Sequence, residues 1–348
     1  MTELEAEAEA EAAKQPGLLL HGWKGVAQGA ALIAVVAGAG YAIYAERGTV
    51  RQGLAVLPHL RVGWLLAAIG AECLSMIAFG VLQRYMLRAG GARLSFGSVL
   101  LAAYRANATA VAVPVVGSGI ATAQLFRDFR RAGAEAAQVS VALVVAGVVS
   151  SVAFAVMVTV GALVTGNPAA AGAAIAIAAA GVAVIAAVML ALRFPSARSR
   201  LVRVTTAVLR FTKRLARWPS GDPTETVENA LDTIGGLRLG WGSGSIAFTA
   251  ALVNWLTDVA CLVCALKAAG GQVPWTAILI VWTAGAGAAS FSPSPAGLGV
   301  VDIVLIAALS GAGIAVPVAV AAVILYRIAT FKIVITAICL AYPHVRRT

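Results

Sequence analysis

Long apolar runs separated by short polar segments fill the chain from residue 24 onward. A helix needs about 20 mostly apolar residues to cross a bilayer. Five runs reach that length, at 24–44, 62–82, 136–164, 169–192 and 243–266, and a sixth closes the chain at 316–341. Two further stretches, 95–131 and 274–311, are interrupted, the first at Val113–Gly119 (VPVVGSG) and the second at SPSPAGLG. Each predicts a hairpin of two helical arms. The pattern therefore predicts an all-α polytopic membrane protein with about six full transmembrane helices and two broken hairpins, whose arms either cross or re-enter.

The interruptions carry the functional information. Backbone that leaves the helix inside a bilayer exposes unsatisfied N–H and C=O groups at several kcal/mol each, so it persists only buried in protein or lining a wet cavity. Pro293, Pro295, Gly297, Gly299 and Asp302 cluster at the second break, and Asn107, Pro114, Gly117 and Gly119 shape the first. The return arm of the first, SGIATAQLFRDFRR with Gln124 and Arg127, is too polar to face lipid alone. Clustered breaks of this kind predict a path for a polar group.

Composition narrows the class. Of 348 residues, 60% are hydrophobic and 12% charged, which excludes an ordinary soluble domain. The net charge of +11 comes from arginines lying between apolar runs, so its partner is a phospholipid surface and not nucleic acid. Arg84, Arg88 and Arg93, then Arg127, Arg130 and Arg131, the run from Arg193 to Arg217, and Arg346 and Arg347 all fall on one side if both termini are cytoplasmic. Only Arg47, Arg51 and Arg61 fall opposite. Residues 1–20 read as a disordered acidic cytosolic tail lacking the basic start of a signal peptide, residues 21–342 as the membrane domain with a cytoplasmic loop at 194–240, and 343–348 as a short tail. In this orientation the span, hairpin and span at 62–164 are entered from the opposite side to those at 243–341. That order predicts inverted repeats, a transporter design whose substrate site lies where broken helices converge. Pro114, Gly117 and Gly119 set against Pro295, Gly297 and Gly299 are the little sequence likeness between the units.

Ionisable residues at membrane depth are costly and usually paired or functional. Glu72 and Arg105 are expected to pair, as are Asp302 and Arg327, and either pair locks a hairpin to a flanking span or frames a headgroup site. Arginines and helix termini at the breaks suit a phosphate. The candidate substrate residues are therefore Arg105, Asn107, Gly117, Gly119, Arg127, Pro293, Pro295, Gly297, Gly299, Asp302 and Arg327. Glu72 and Asp258 are candidates for an ion pair or proton relay, with Asn254 one turn before Asp258; Lys332 is close enough to a helix end to snorkel. From 198 to 217 the helical wheel places Leu201, Val204, Val208, Phe211 and Leu215 on one arc and Arg200, Arg203, Arg210, Lys213, Arg214 and Arg217 on another. This predicts a basic amphipathic helix on anionic headgroups. Asp222 and Pro223 resemble a helix start. Cys73, Cys261, Cys264 and Cys339 read as small buried hydrophobes, and no metal-ligand spacing, cofactor motif or catalytic constellation is expected, the histidines (His21, His59, His344) lying outside the spans.

The segments SPAGLGVVD (Ser294–Asp302), SGAG (Ser310–Gly313) and ILYR (Ile324–Arg327) resemble the C-terminal signature of the flippase-like membrane domain of lysylphosphatidylglycerol synthases. That signature runs approximately TPGGLGxxE, a Gly turn, then LLYR. Asn107, Pro114, Gly117, Gly119 and Arg127 are similar to its earlier element. Asp302 stands for the usual glutamate, Ala296 for a glycine, and Ala123 and Gln124 where many relatives carry an acid. The resemblance spans about 20–342 and implies translocation of a lipid such as an aminoacylated phosphatidylglycerol or a polyprenyl-linked lipid. Fused relatives carry an aminoacyltransferase after this domain; only Tyr342–Thr348 follow the last span here, so a transporter without synthase activity is expected, in a plasma membrane of bacterial type. The other class is a non-catalytic accessory subunit for a separate lipid-modifying synthase or glycosyltransferase.

Overall fold

The structure is a computed structural model that describes residues 60–112, 117–166, 194–216, 241–291, Gly297 and 299–345, with isolated positions between 172 and 190 and at 224 and 228. The predicted span at 24–44, most of that at 169–192, and Asp222, Pro223, Pro293 and Pro295 lie outside the described residues. Among those described, the secondary structure is helical: α1 (Val62–Ala89), α2 (Phe96–Ala112), α3 (Gly117–Arg131), α4 (Ala136–Val164), α5 (Pro195–Ala216), α6 (Trp241–Ala268), α7 (Ile278–Phe291), α8 (Val300–Gly311) and α9 (Val316–Val345). The two predicted hairpins are α2–α3 and α7–α8; α7 and α8 stop on either side of the second expected break, whereas α3 begins at Gly117, within the first.

The helix limits follow local chemistry. Ser95 caps α2, its Oγ accepting from the Ser98 N–H at 3.2 Å. Gln138 reaches back with its Oε1 to the Glu135 N–H at 3.1 Å, closing the first turn of α4. α1, α4 and residues 244–268 of α6 are long and apolar enough to cross a membrane. Protein covers only 39%, 33% and 33% of their most apolar windows. Leu66, Leu74, Val144, Leu163 and Leu256 are exposed on their outer faces. Helices that are apolar all round yet only one-third covered need an apolar solvent, and lipid supplies it.

Helices α1 and α6 form the centre. The Arg61 N–H, just before α1, donates to the Ala268 carbonyl at the end of α6 at 3.1 Å. Seven residues further on, Ala68 packs in one cluster with Cys261, both fully buried. Another seven residues on, Ser75 bonds Asn254. The pair therefore runs antiparallel with a seam repeating every seven residues, and small side chains on the seam let the backbones approach.

The rest of the packing is organised around this pair. Exchanging α1, α2, α3 and α4 for α6, α7, α8 and α9 reproduces every substantial helix contact among the described residues. Thus α2 packs on α9 as α7 packs on α4, α1 on α4 as α6 on α9, and α3 on α4 as α8 on α9. Ser75 and Asn254 lie each 13 positions beyond the first residue of their 28-residue helices. The central hydrogen bond thus joins equivalent positions of the two units.

Candidate functional site

A cavity of about 470 Å³ lies beside the Ser75–Asn254 contact, walled by α1, α2, α3, α4, α6 and α9. Its polar lining includes Glu72, Ser75, Asn107, Asn254, Asp258 and Arg327; Met76, Phe79 and Trp255 supply much of the apolar part. A 28-residue helix is about 42 Å long. Glu72, Ser75, Asn254 and Asp258 therefore fall in the middle third of α1 and α6, at the depth of a bilayer midplane.

Most of these side chains are held by hydrogen bonds across helices. Ser75 Oγ donates to the Asn254 carbonyl at 3.0 Å. Asn107 Nδ2 donates to Met76 Sδ at 3.4 Å, fixing α2 on α1. Asp258 joins three helices, accepting from Trp282 Nε1 of α7 at 3.1 Å and from the Tyr326 hydroxyl of α9 at 2.9 Å. Trp255 Nε1 donates to the Ser150 carbonyl of α4 at 3.1 Å. The rings of Phe154, Trp255 and Trp282 stack mutually, with centroids 5.4 to 5.8 Å apart. This aromatic wedge stiffens the wall behind Asp258.

The first hairpin is zipped by two polar contacts one turn apart. Arg105 pairs with Asp128 at 3.4 Å, and the Thr109 hydroxyl donates to Gln124 Oε1. These contacts tie the polar return arm to α2, although Asp128 Oδ2 remains buried without a hydrogen-bond partner among the described residues. The expected Glu72–Arg105 pair is corrected by this geometry. Residues two apart on a helix diverge by about 200°, so with Asn107 turned to α1, Arg105 faces α3. Arg105 and Arg127 do not line the cavity; Arg127 is exposed. Gly117 and Gly119 begin α3 and also lie outside the lining.

At the second break the expected Asp302–Arg327 pair is present, Arg327 Nε donating to Asp302 Oδ1 at 2.6 Å. Asp302 Oδ2 also accepts the Gly299 N–H at 2.9 Å, capping α8. Arg327 Nη2 reaches the Gly297 carbonyl at 3.5 Å. Gly297 and Gly299 have φ of +69° and +83°, in the left-handed region that suits glycine. A Cβ on Gly297 would lie 2.4 Å from Val301 Cγ2. The second hairpin was expected to wall the groove, but it meets the cavity through Arg327, whose guanidinium it orients.

Helix α5 confirms the predicted helix but divides its faces differently. Among its described side chains Val202 and Thr206 are buried, whereas of the predicted apolar arc Val204 is 62% exposed and Leu201 half-buried. Arg200 and Arg203 are exposed, Arg210, Lys213 and Arg214 follow on the same helix, and Arg217 lies outside the described residues. Ser75, Thr122, Trp255 and Thr330 of the lining escaped the sequence reading, as did two residues that hold the helices around it, Asp128 and Trp282. Asp128 sits in an arginine-rich run that looks like a loop charge, and Trp282 sits in an apolar run; only their helical phase against Arg105 and Asp258 betrays them.

Long apolar helices around a cavity lined by a few polar and charged side chains define a polytopic membrane protein. The chain matches the family described as "Lysylphosphatidylglycerol synthase TM region" over residues 30–339, and it belongs to that family. No curated protein matches it.

Proposed function

We propose that the protein is a lipid translocase of the cell membrane that moves a polar headgroup through the α1–α6 cavity while the acyl chains stay in lipid. The observation that carries the reading is the cavity itself, mainly apolar but carrying a cluster of polar and charged side chains, placed at mid-depth in helices whose outer faces suit lipid. A volume near 470 Å³ is of the size that holds a small ligand. Arg327, aimed by Asp302 and bordering the cavity, is the residue for a headgroup phosphate. The antiparallel central pair and the exchange symmetry of the packing support an inverted-repeat transporter. Exposed Arg200 and Arg203 on α5 suit an anionic membrane surface. Family membership supports a lipid substrate, of which aminoacylated phosphatidylglycerol and polyprenyl-linked lipids are the candidates. The reading takes the chain as a transporter and not an enzyme.

The test is fluorescent-lipid translocation in proteoliposomes carrying the full chain, scored by reduction of outer-leaflet label. Wild-type protein should move label above empty vesicles, and Arg327→Gln should slow it at least tenfold with its fold intact. A wild-type rate equal to that of empty vesicles for each candidate lipid class refutes the proposal.

A further inference from the structure

Glu72 stands apart from every other polar group of the cavity. It is 7% exposed, and its Oε2 is fully buried with no hydrogen-bond partner among the described residues. The donors around it are committed elsewhere: Ser75 to Asn254, Asn107 to Met76, and Trp282 and Tyr326 to Asp258. Asp258, the facing carboxylate, has both oxygens satisfied and so suits the charged form. An ionised Glu72 in the same place would be a second buried negative charge with no donor, at several kcal/mol.

Among the described residues no hydrogen bond or ion pair gives Glu72 a structural task. Its equivalent position on α6 in the exchange of units is Ala251, and that of Asp258 on α1 is Phe79. The two carboxylates are thus departures from the repeat. An intramembrane acid with no bond to make is a functional site by default.

The groups facing Glu72 can be named helix by helix. On α1 itself there is Cys73 and on α2 Tyr104, while Arg105 turns away to α3 and pairs with Asp128. On α6 there are Asp258 and Cys261, and on α9 Tyr326 and Arg327, the arginine also holding Asp302 of α8. The lining residues from α3 and α4 are uncharged. A hard metal cation takes about six oxygens, and the oxygens of Asp258 and Asn254 nearest Glu72 already accept hydrogen bonds. A proton needs only one.

We propose that Glu72 is a proton-binding site that couples headgroup movement to the proton gradient. In each cycle Glu72 Oε2 takes a proton from water on one side of the membrane, forming the neutral acid, and releases it to water on the other. Asp258 stays ionised throughout, so the cavity's charge changes by one unit as Glu72 gains and loses its proton. The coupling rests on the translocase reading; the site does not.

Two measurements separate these. In proteoliposomes with an imposed pH gradient, one proton per lipid shifts the steady-state ratio of labelled lipid between leaflets by about tenfold per pH unit. Wild type and Glu72→Asp should show the shift, and Glu72→Gln should equilibrate lipid without it. A wild-type ratio indifferent to the pH gradient, one that follows a sodium gradient instead, or a shift that persists in Glu72→Gln overturns the coupling. Infrared difference spectroscopy on purified protein in nanodiscs gives the second readout. Wild type at neutral pH should show a carboxylic-acid C=O band that is absent in Glu72→Gln and retained in Glu135→Gln, an exposed acid outside the cavity. Lack of that band in wild type, or its survival in Glu72→Gln, overturns the proton site. If no lipid moves at all, the translocase reading falls and the infrared result alone decides Glu72.

Discussion

Asp302→Asn isolates what holds the second break in shape. The carboxylate makes two charge-assisted bonds, to the Gly299 N–H at 2.9 Å and to Arg327 Nε at 2.6 Å. Asparagine retains an acceptor for the cap and loses the charge. A hydrogen bond to a charged group contributes about 1.5–3 kcal/mol. The Arg327 and Asp302 side chains are 17% and 24% exposed, so water screens the pair in part, and the loss stays below the 3–5 kcal/mol typical of breaking a fully buried pair. The expected cost is about 2 kcal/mol, and Arg327→Gln should cost a similar amount. Both changes remove the same ion pair, so the double variant should cost roughly 1–2 kcal/mol less than the sum. Reversible unfolding of the four proteins in mixed micelles measures the cycle. Additivity to within about 0.5 kcal/mol would refute the pairing as the element that fixes the break.

Three further outcomes follow from the packing. Gly297→Ala places a Cβ 2.4 Å from Val301 at positive φ and should cost about 2–4 kcal/mol; Gly299→Ala, with open space around it, should cost only the conformational 1–2 kcal/mol or so, and equal melting temperatures contradict this. Asp128→Asn should destabilise by about 1.5–3 kcal/mol by unzipping the first hairpin, whereas Arg127→Gln, at an exposed position, should stay within about 0.5; equal losses contradict the zip. In a background with the native cysteines replaced, Ser75→Cys with Asn254→Cys should cross-link under mild oxidation, and Leu74→Cys with Asn254→Cys should not, because Leu74 is 48% exposed on the outer face. Cross-linking of the second pair instead contradicts the antiparallel register.

How far the sequence reaches can be judged residue by residue. Hydrophobic run length located α4 at Ala136–Val164, and the prolines and glycines located both breaks, because these signals are local. The Asp302–Arg327 pair was legible since both residues fall at depth in runs with no nearer charge. Arg105 was given the wrong partner because two acids were within reach along the chain, and only the rotation of α2 against α3 selects Asp128. The role of Asp258 required three helices to meet, which no local pattern reveals. Likewise, the exchange symmetry of the packing left almost no trace in side chains, since lipid-facing and small interface positions accept many residues.

The central claim is that the headgroup passes through the cavity between α1 and α6, and blocking that space tests it most directly. Ala110 lines the cavity from α2, so Ala110→Trp obstructs it without removing a polar group. Translocation of labelled lipid should fall to the rate of empty vesicles while the variant still purifies folded. Translocation at the wild-type rate through the blocked cavity would contradict the account.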